Sequence, residues 1–327
     1  MPTHASIFVG CRERIAARKL IKRQLPSERH SSSHGTTFIH RDEFSAGPGS
    51  PRSMITQIAD RLILHPTTNS ISSFGKDRRV IDYANGQLEA WTQQIGTTSS
   101  DDADVFVLKF AGTDERAERT NYQPLSSWPD LRGEVWSVNP PGYGGSSGRA
   151  TLRSFAAAGK AAYDEIVQVA DGRPLILMGT SLGTITALYL AARYPISGLV
   201  LRNPVPLRQL IVGKHGWWNL WVPAMLVSTQ VPDSLCTIRN ASRCHAIPAV
   251  FVGSKRDRIV PPDYQVRIVK NYAGPKRVMR LRKANHSTPM NAMEQIRFRN
   301  EMNWLRHRAL QGVDAGGQRV SNSNRTS

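Results

Sequence analysis

Short apolar runs separated by longer mixed segments dominate the middle of the chain. Asp104–Phe110, with Val105, Val107 and Phe110, reads as a strand, and Glu134–Val138 as the next. Pro174–Met178, Gly198–Leu201, Ala249–Val252 and Val278–Leu281 follow. Runs this short and this continuously apolar suit strands covered on both faces. Between several of them the period changes. From about Thr151 to Ala170, Leu152, Phe155, Gly159, Ala162, Ile166 and Val169 recur at alternating steps of three and four, one buried helical stripe. Strand–helix alternation of this kind predicts a mainly parallel sheet with helices on both faces. Before it, Arg79–Trp91 places Asn85-Gly86 between two strand-like stretches, a hairpin signal that adds antiparallel strands at the start.

The ends differ in composition. Residues 1–52 hold "SERHSSSHGTTF" and "SAGPGSPRS", which bury little surface, and "CRERIAARKLIKRQL", a stretch with the makings of a short basic helix. We expect a basic, disordered extension over 1–52, one α/β domain over 53–310 and a disordered tail over 311–327. The chain of 327 residues is long enough for one large core.

Net charge is +18, with nine Lys/Arg against four Asp/Glu in residues 1–52. Such basicity attracts phosphates or anionic membranes, but no dense basic run with interleaved aromatics is present, so no nucleic-acid partner is expected. Peripheral membrane contact has no firm support, and the oligomeric state is not legible. No apolar run approaches the roughly 18 residues that span a bilayer, and Ile7–Cys11 is too short for a signal-peptide core. A cytoplasmic protein is expected. Cys11, Cys236 and Cys244 are too few for a disulfide framework; Cys236 and Cys244 could pair across a loop, but free thiols are expected. Neither Cys-x-x-Cys nor His-Glu-x-x-His occurs, so no metal site or cofactor is expected.

The chemistry centres on "LILMGTSLGT" (175–184), where Ser181 stands between Gly179 and Gly183, with an apolar strand before and a helix, "TITALYLAARYP", after. A serine hydroxyl needs exposure, a base and oxyanion donors to act as a nucleophile. A Gly-x-Ser-x-Gly turn from strand to helix supplies the exposure. Two later loops supply partners. "AVFVGSKRDRIVPP" puts Asp257 after a strand, and "MRLRKANHSTPM" puts His286 after the last one. Loops at the carboxyl edge of a parallel sheet open on one side, so Ser181, Asp257 and His286 can converge. The other position for an acid, after Gly198–Leu201, holds Asn203 and no nearby carboxylate.

In these residues the chain resembles the α/β-hydrolase fold superfamily over about residues 55–310. Within it the likeness runs to intracellular serine-aminopeptidase-like and Bem46-like hydrolases, through "LILHPTTN" (62–69), "VNPPGYGGSSG" (138–148) and "FVGSKRDRIVPP" (251–262). The resemblance implies oxyanion donors at the Leu182 and Thr113 N–H groups. It also shows a departure: where the family has His-Gly after the third strand, this chain has Ala111-Gly112, and the imidazole is missing. The expected activity is hydrolysis of a carboxylic ester, with amide or thioester left open. It would run through an acyl-enzyme, with a small or medium hydrophobic acyl group. An acyltransferase on the same triad, or a non-catalytic binding protein of the same fold, are the rival readings. About 204–247 should form a short cap, whose "WWNLWVPAMLV" concentrates Trp217, Trp218, Trp221, Met225 and Leu226 as pocket wall, membrane patch or plain packing.

Overall fold

Eight strands form one sheet in the order β1-β2-β4-β3-β5-β6-β7-β8. The computed structural model describes residues 51–84, 86–215 and 221–317. The extension at 1–50, Asn85, Trp217, Trp218 and the end at 318–327 lie outside them. Strands β1 (Asp77–Tyr83) and β2 (Gly86–Ile95) pair antiparallel, Tyr83 opposite Gly86, the hairpin that Asn85-Gly86 signals. β2 runs antiparallel to β4 (Gly133–Val138), and β4 parallel to β3 (Val105–Phe110). From there β5 (Leu175–Thr180), β6 (Gly198–Arg202), β7 (Ala249–Ser254) and β8 (Lys276–Leu281) are all parallel.

The reason these runs make strands is their burial on both sides: every residue of β3 and β4 is buried. Side chains of one parity, Phe106, Leu108, Leu177 and Phe251 among them, pack in one apolar layer. Those of the other, such as Val107, Ile176, Val200 and Val252, pack in a second.

Helices cover both layers. After α1 (Pro51–Ile63), α2 (Leu152–Ala170) starts at Thr151, whose side chain accepts the Ser154 N–H, and stops where Asp171 turns left-handed. Leu152, Phe155, Gly159, Ala162 and Ile166 are buried as the spacing predicts; at the end Ala170 takes the place expected of Val169. α3 (Gly183–Ala191) is apolar on nearly every side and runs through the same layer. The segment 204–247, expected to form a cap, holds α4 (Leu207–His215), α5 (Trp221–Thr229) and the short α6 (Thr237–Ala241). Beyond it, α7 (Pro262–Asn271) follows β7, and α8 (Ala292–Gly317) lays Phe298, Met302, Leu305 and Ala309 on the second layer. α8 continues to Gly317, past residue 310 where the composition changes. No helix of the described residues is long and apolar enough to cross a membrane. Cys236 and Cys244 are free thiols; burial pushes that of Cys244 up to about 12.

Candidate active site

The turn between β5 and α3 is as tight as its glycines demand. A Cβ on Gly183 would sit 2.0 Å from the Phe110 carbonyl oxygen, and one on Gly179 2.7 Å from the Thr184 Cα. Their absence lets α3 press against the end of β3. Ser181 is left at φ +50°, a left-handed conformation that costs a non-glycine residue about 1–3 kcal/mol. Three bonds hold it there: its N–H donates to the Arg202 carbonyl at 2.9 Å, and the Thr184 hydroxyl and N–H donate to its carbonyl at 2.6 and 3.0 Å.

The loops after β7 and β8 bring the other two residues in. His286 Nε2 lies 2.9 Å from Ser181 Oγ, and Nδ1 lies 2.7 Å from Asp257 Oδ2. A carboxylate only accepts, so Nδ1 carries the proton and Nε2 is left to take that of the serine. Asp257 is buried. Its Oδ1 accepts the N–H groups of Ile259 and Val260 at 2.9 and 2.8 Å, and Oδ2 also accepts from Gln265 Nε2 at 3.1 Å. Arg256 and Arg258, its sequence neighbours, form no ion pair with it; among the described residues His286 is its sole ion-pair partner.

Sequence reasoning passed over the residues that hold this line. Asn203, noted there for not being a carboxylate, stands at φ +47° at the end of β6. Its amide donates to the His286 carbonyl at 2.8 Å and its oxygen accepts the Ser254 N–H at 3.0 Å, tying the histidine loop to β7. Arg202, one residue earlier, donates to the Thr288 carbonyl at 2.7 Å. Gln265 reaches back one turn of α7 to Asp257 and to the Val260 carbonyl. The Asn203 and Arg202 contacts have no local signal, because they join the end of β6 to parts distant in the chain, and that of Gln265 depends on how the acid loop folds back on α7.

On the other side of Ser181, Ala111–Glu115 forms a turn: the Glu115 N–H donates to the Gly112 carbonyl at 3.2 Å, and the Gly112 N–H donates to the Glu115 carboxylate at 3.1 Å. The Thr113 hydroxyl donates to the Ile63 carbonyl at 3.3 Å, fixing the turn to the end of α1. The position of a Gly112 Cβ would be only 3.3 Å from the Ser181 Cβ, so the turn touches Ser181. Among the described residues no acceptor takes a hydrogen bond from the Leu182 or the Thr113 N–H. Nor do three or more His, Cys, Asp or Glu side chains gather there as a metal would need.

The sequence profile of the alpha/beta hydrolase fold family matches residues 126–227, which include the Ser181 turn. Solved structures share the fold over most of the chain. An esterase from Pyrococcus furiosus is 13% identical, with a TM-score of 0.56 over 76% of this chain and 98% of its own. Est1E from Butyrivibrio proteoclasticus is 12% identical, with a TM-score of 0.55 over 71% and 98%. An acylaminoacyl peptidase from Pyrococcus horikoshii is 14% identical, with a TM-score of 0.54 over 73% of this chain and 42% of its own. The fold is therefore the α/β-hydrolase fold, with a mainly parallel eight-stranded sheet. Uncharacterized proteins from two Mycobacterium tuberculosis strains are 31% identical over 150 residues, 45% of this chain. The match spans about half of those relatives' length.

Proposed function

We propose that the chain is a serine hydrolase that cleaves carboxylic esters through Ser181, His286 and Asp257. The observation that carries this reading is the continuous hydrogen-bonded line from Ser181 Oγ through both imidazole nitrogens to a buried carboxylate, at a serine held with φ +50°. His286 Nε2 takes the hydroxyl proton as Oγ attacks the ester carbonyl. Asp257 keeps Nδ1 protonated and offsets the charge of the imidazolium. The oxyanion meets the Leu182 and Thr113 amides, which have no competing acceptor among the described residues; one such donor is worth roughly 3–4 kcal/mol of barrier. Collapse expels the alcohol, which takes the proton from His286. Water, deprotonated by the same imidazole, then attacks the acyl-enzyme and restores Ser181. In sum, ester and water give acid and alcohol.

The histidine missing at Ala111 is no obstacle, because the donors are backbone groups. The apolar hollow beneath the turn, between Phe110, Phe155 and Gly183, holds only about 20 Å³, the room of a single water. A small or medium acyl group must therefore lie elsewhere, against the cap, where Met225 and Leu226 of α5 are exposed, or in the polar cavity described next.

A fluorophosphonate probe tests the reading. Wild type should label, Ser181→Ala should not, and His286→Ala should label at least about 10³-fold more slowly, with circular dichroism showing both variants folded. A folded wild type that neither labels nor hydrolyses 4-nitrophenyl butyrate would overturn it.

A further inference from the structure

A cavity of about 370 Å³ opens beside the nucleophile, beneath the segment 111–123. Its floor is one face of the sheet at the carboxyl ends of three strands. Lys109 of β3 pairs with Met178 of β5, and Thr180 of β5 with Arg202 of β6, so all four rise on the same side. Its wall includes Ala111 and Thr180, the residues next to Gly112 and to Ser181. A ligand lying here has its near end at the candidate oxyanion site.

Two cations in this cavity have no counter-ion in contact. Lys109 is 5% exposed and gives two of its three N–H groups to Asn121, to the carbonyl oxygen and to Oδ1. Arg202 donates from Nη2 to Thr288, while its buried Nε has no acceptor. Among the described residues no carboxylate lies within 4.0 Å of either. Arg116, buried in the same wall, shows the usual solution: it is paired with Glu118. The cavity's own carboxylates, Asp114 and Glu115, are exposed and engaged, one with His65 and the other with the Gly112 N–H; Glu115 acts on Lys109 and Arg202, and Glu294 on Arg202, only from beyond contact, and burial outweighs them at both cations.

Burying a cation without a partner is costly, and proteins avoid it unless something arrives to balance the charge. An exposed third cation, Arg119, also lines the cavity. We propose that this cavity receives an anionic oxygen group, a carboxylate or a phosphate, carried by the ester whose carbonyl reaches Ser181. The proposal rests on Ser181 being the nucleophile. Lys109 offers a point charge and Arg202 the guanidinium N–H groups not spent on Thr288, a pair suited to charge-assisted bonds to one anion. The specificity is thus for an ester with an acidic end, its hydrocarbon part facing the cap.

Protonation of Lys109 follows from the same geometry. Burial and the nearby Lys76 push it down to about 7, and Glu115 opposes them. A bound anion reverses that, so binding takes up a proton and weakens as pH rises above about 7.

Two measurements on the full chain test the proposal. Calorimetric titration with glutarate and with phenyl phosphate, in low salt at pH 6.5, should show saturable binding of at least one. The two arms distinguish carboxylate from phosphate. Hydrolysis of the 4-nitrophenyl monoester of glutarate should exceed that of 4-nitrophenyl pentanoate by about tenfold or more in kcat/KM. Lys109→Met should cut anion affinity by about tenfold and erase the preference. Arg119→Gln, at an exposed position, should cost about threefold even if the first variant does not fold. No saturable binding of either anion to the folded wild type, or affinity unchanged in a folded Lys109→Met or in Arg119→Gln, would sink the proposal. A protein that labels and hydrolyses the pentanoate but binds no anion loses this inference and keeps its hydrolase reading. A protein that binds anions but neither labels nor turns over loses the hydrolase reading and, with it, the acidic ester proposed here, keeping an anion site alone.

Discussion

The two flanks of Ser181 are built to different standards. On the histidine flank every contact is internal and short. Asp257 takes two donors on each oxygen, and Asn203 ties the His286 loop to β7. On the oxyanion flank the turn at 111–115 is closed by an exposed glutamate, two amides have no acceptor among the described residues, and a buried lysine and a half-buried arginine have no carboxylate in contact. On the function proposed, one flank is finished before a substrate arrives and the other is finished by the substrate. Proton transfer needs a fixed geometry whatever the acyl group, whereas donors meant for an oxyanion or an acidic tail must stay unspent until those appear.

If that contrast holds, the finished flank should fail hard. Asp257→Asn keeps the shape but offers the imidazole a donor in place of an acceptor, which favours the wrong tautomer. We expect kcat to fall by about 10⁴-fold with KM nearly constant, measured on 4-nitrophenyl butyrate. A loss under tenfold would mean that Asp257 serves as loop glue alone.

Lys109 probes the unfinished flank through stability. Its ammonium is held near 7 in the fold against 10.5 as the ordinary value. Between those values the unfolded chain binds a proton that the folded chain does not, so stability rises as pH climbs from about 7 toward 10.5, and the penalty is complete below 7. At 1.36 kcal/mol per unit the swing is at most roughly 5 kcal/mol. Urea unfolding at pH 7 and pH 9 should show the rise in wild type and a much flatter response in Lys109→Met. Lys76, pushed down to about 8 by burial, adds a smaller slope of the same sign to both. Equal slopes in the two proteins would place the Lys109 charge in water and end the contrast.

The difference between the flanks also explains what was legible in the sequence. Strands showed because cover on both faces leaves continuous apolar runs, and Ser181, Asp257 and His286 showed because each sits at a strand end in a telling order. The fixing contacts of Asn203 and Arg202 did not show, since each joins the end of β6 to a loop far away in the chain, and that of Gln265 did not show because it depends on how the acid loop folds back on α7. Lys109 was hidden differently. In "VFVLKF" it reads as an ordinary polar position on a strand, and only the packing of Asn121 and the 111–123 segment over it makes it a buried charge. Asn203 puts a number on such a contact: Asn203→Ala removes two hydrogen bonds and a residue suited to φ +47°, at about 1–3 kcal/mol of stability. We expect kcat to drop about 10- to 100-fold, with KM steady and fluorophosphonate labelling slowed in parallel. Slower labelling separates a misplaced imidazole from a merely less stable fold.

Glu115 should give the smallest effect, and it asks most directly whether the oxyanion flank is soft. Its carboxylate accepts the Gly112 N–H and so keeps the turn closed. Glu115→Ala frees that amide, but the turn keeps its backbone bond from Glu115 N–H to the Gly112 carbonyl and the Thr113 hydroxyl's bond to Ile63, and solvent reaches the site to replace what is lost. One exposed hydrogen bond is worth about 1 kcal/mol, so kcat should fall only about three- to tenfold, and Glu115→Gln, which still offers an oxygen, should recover most of it. Should Glu115→Ala instead cost 100-fold or more while the protein stays folded, the turn is as tightly specified as the histidine loop. Thr113 would then owe its aim to that single carboxylate.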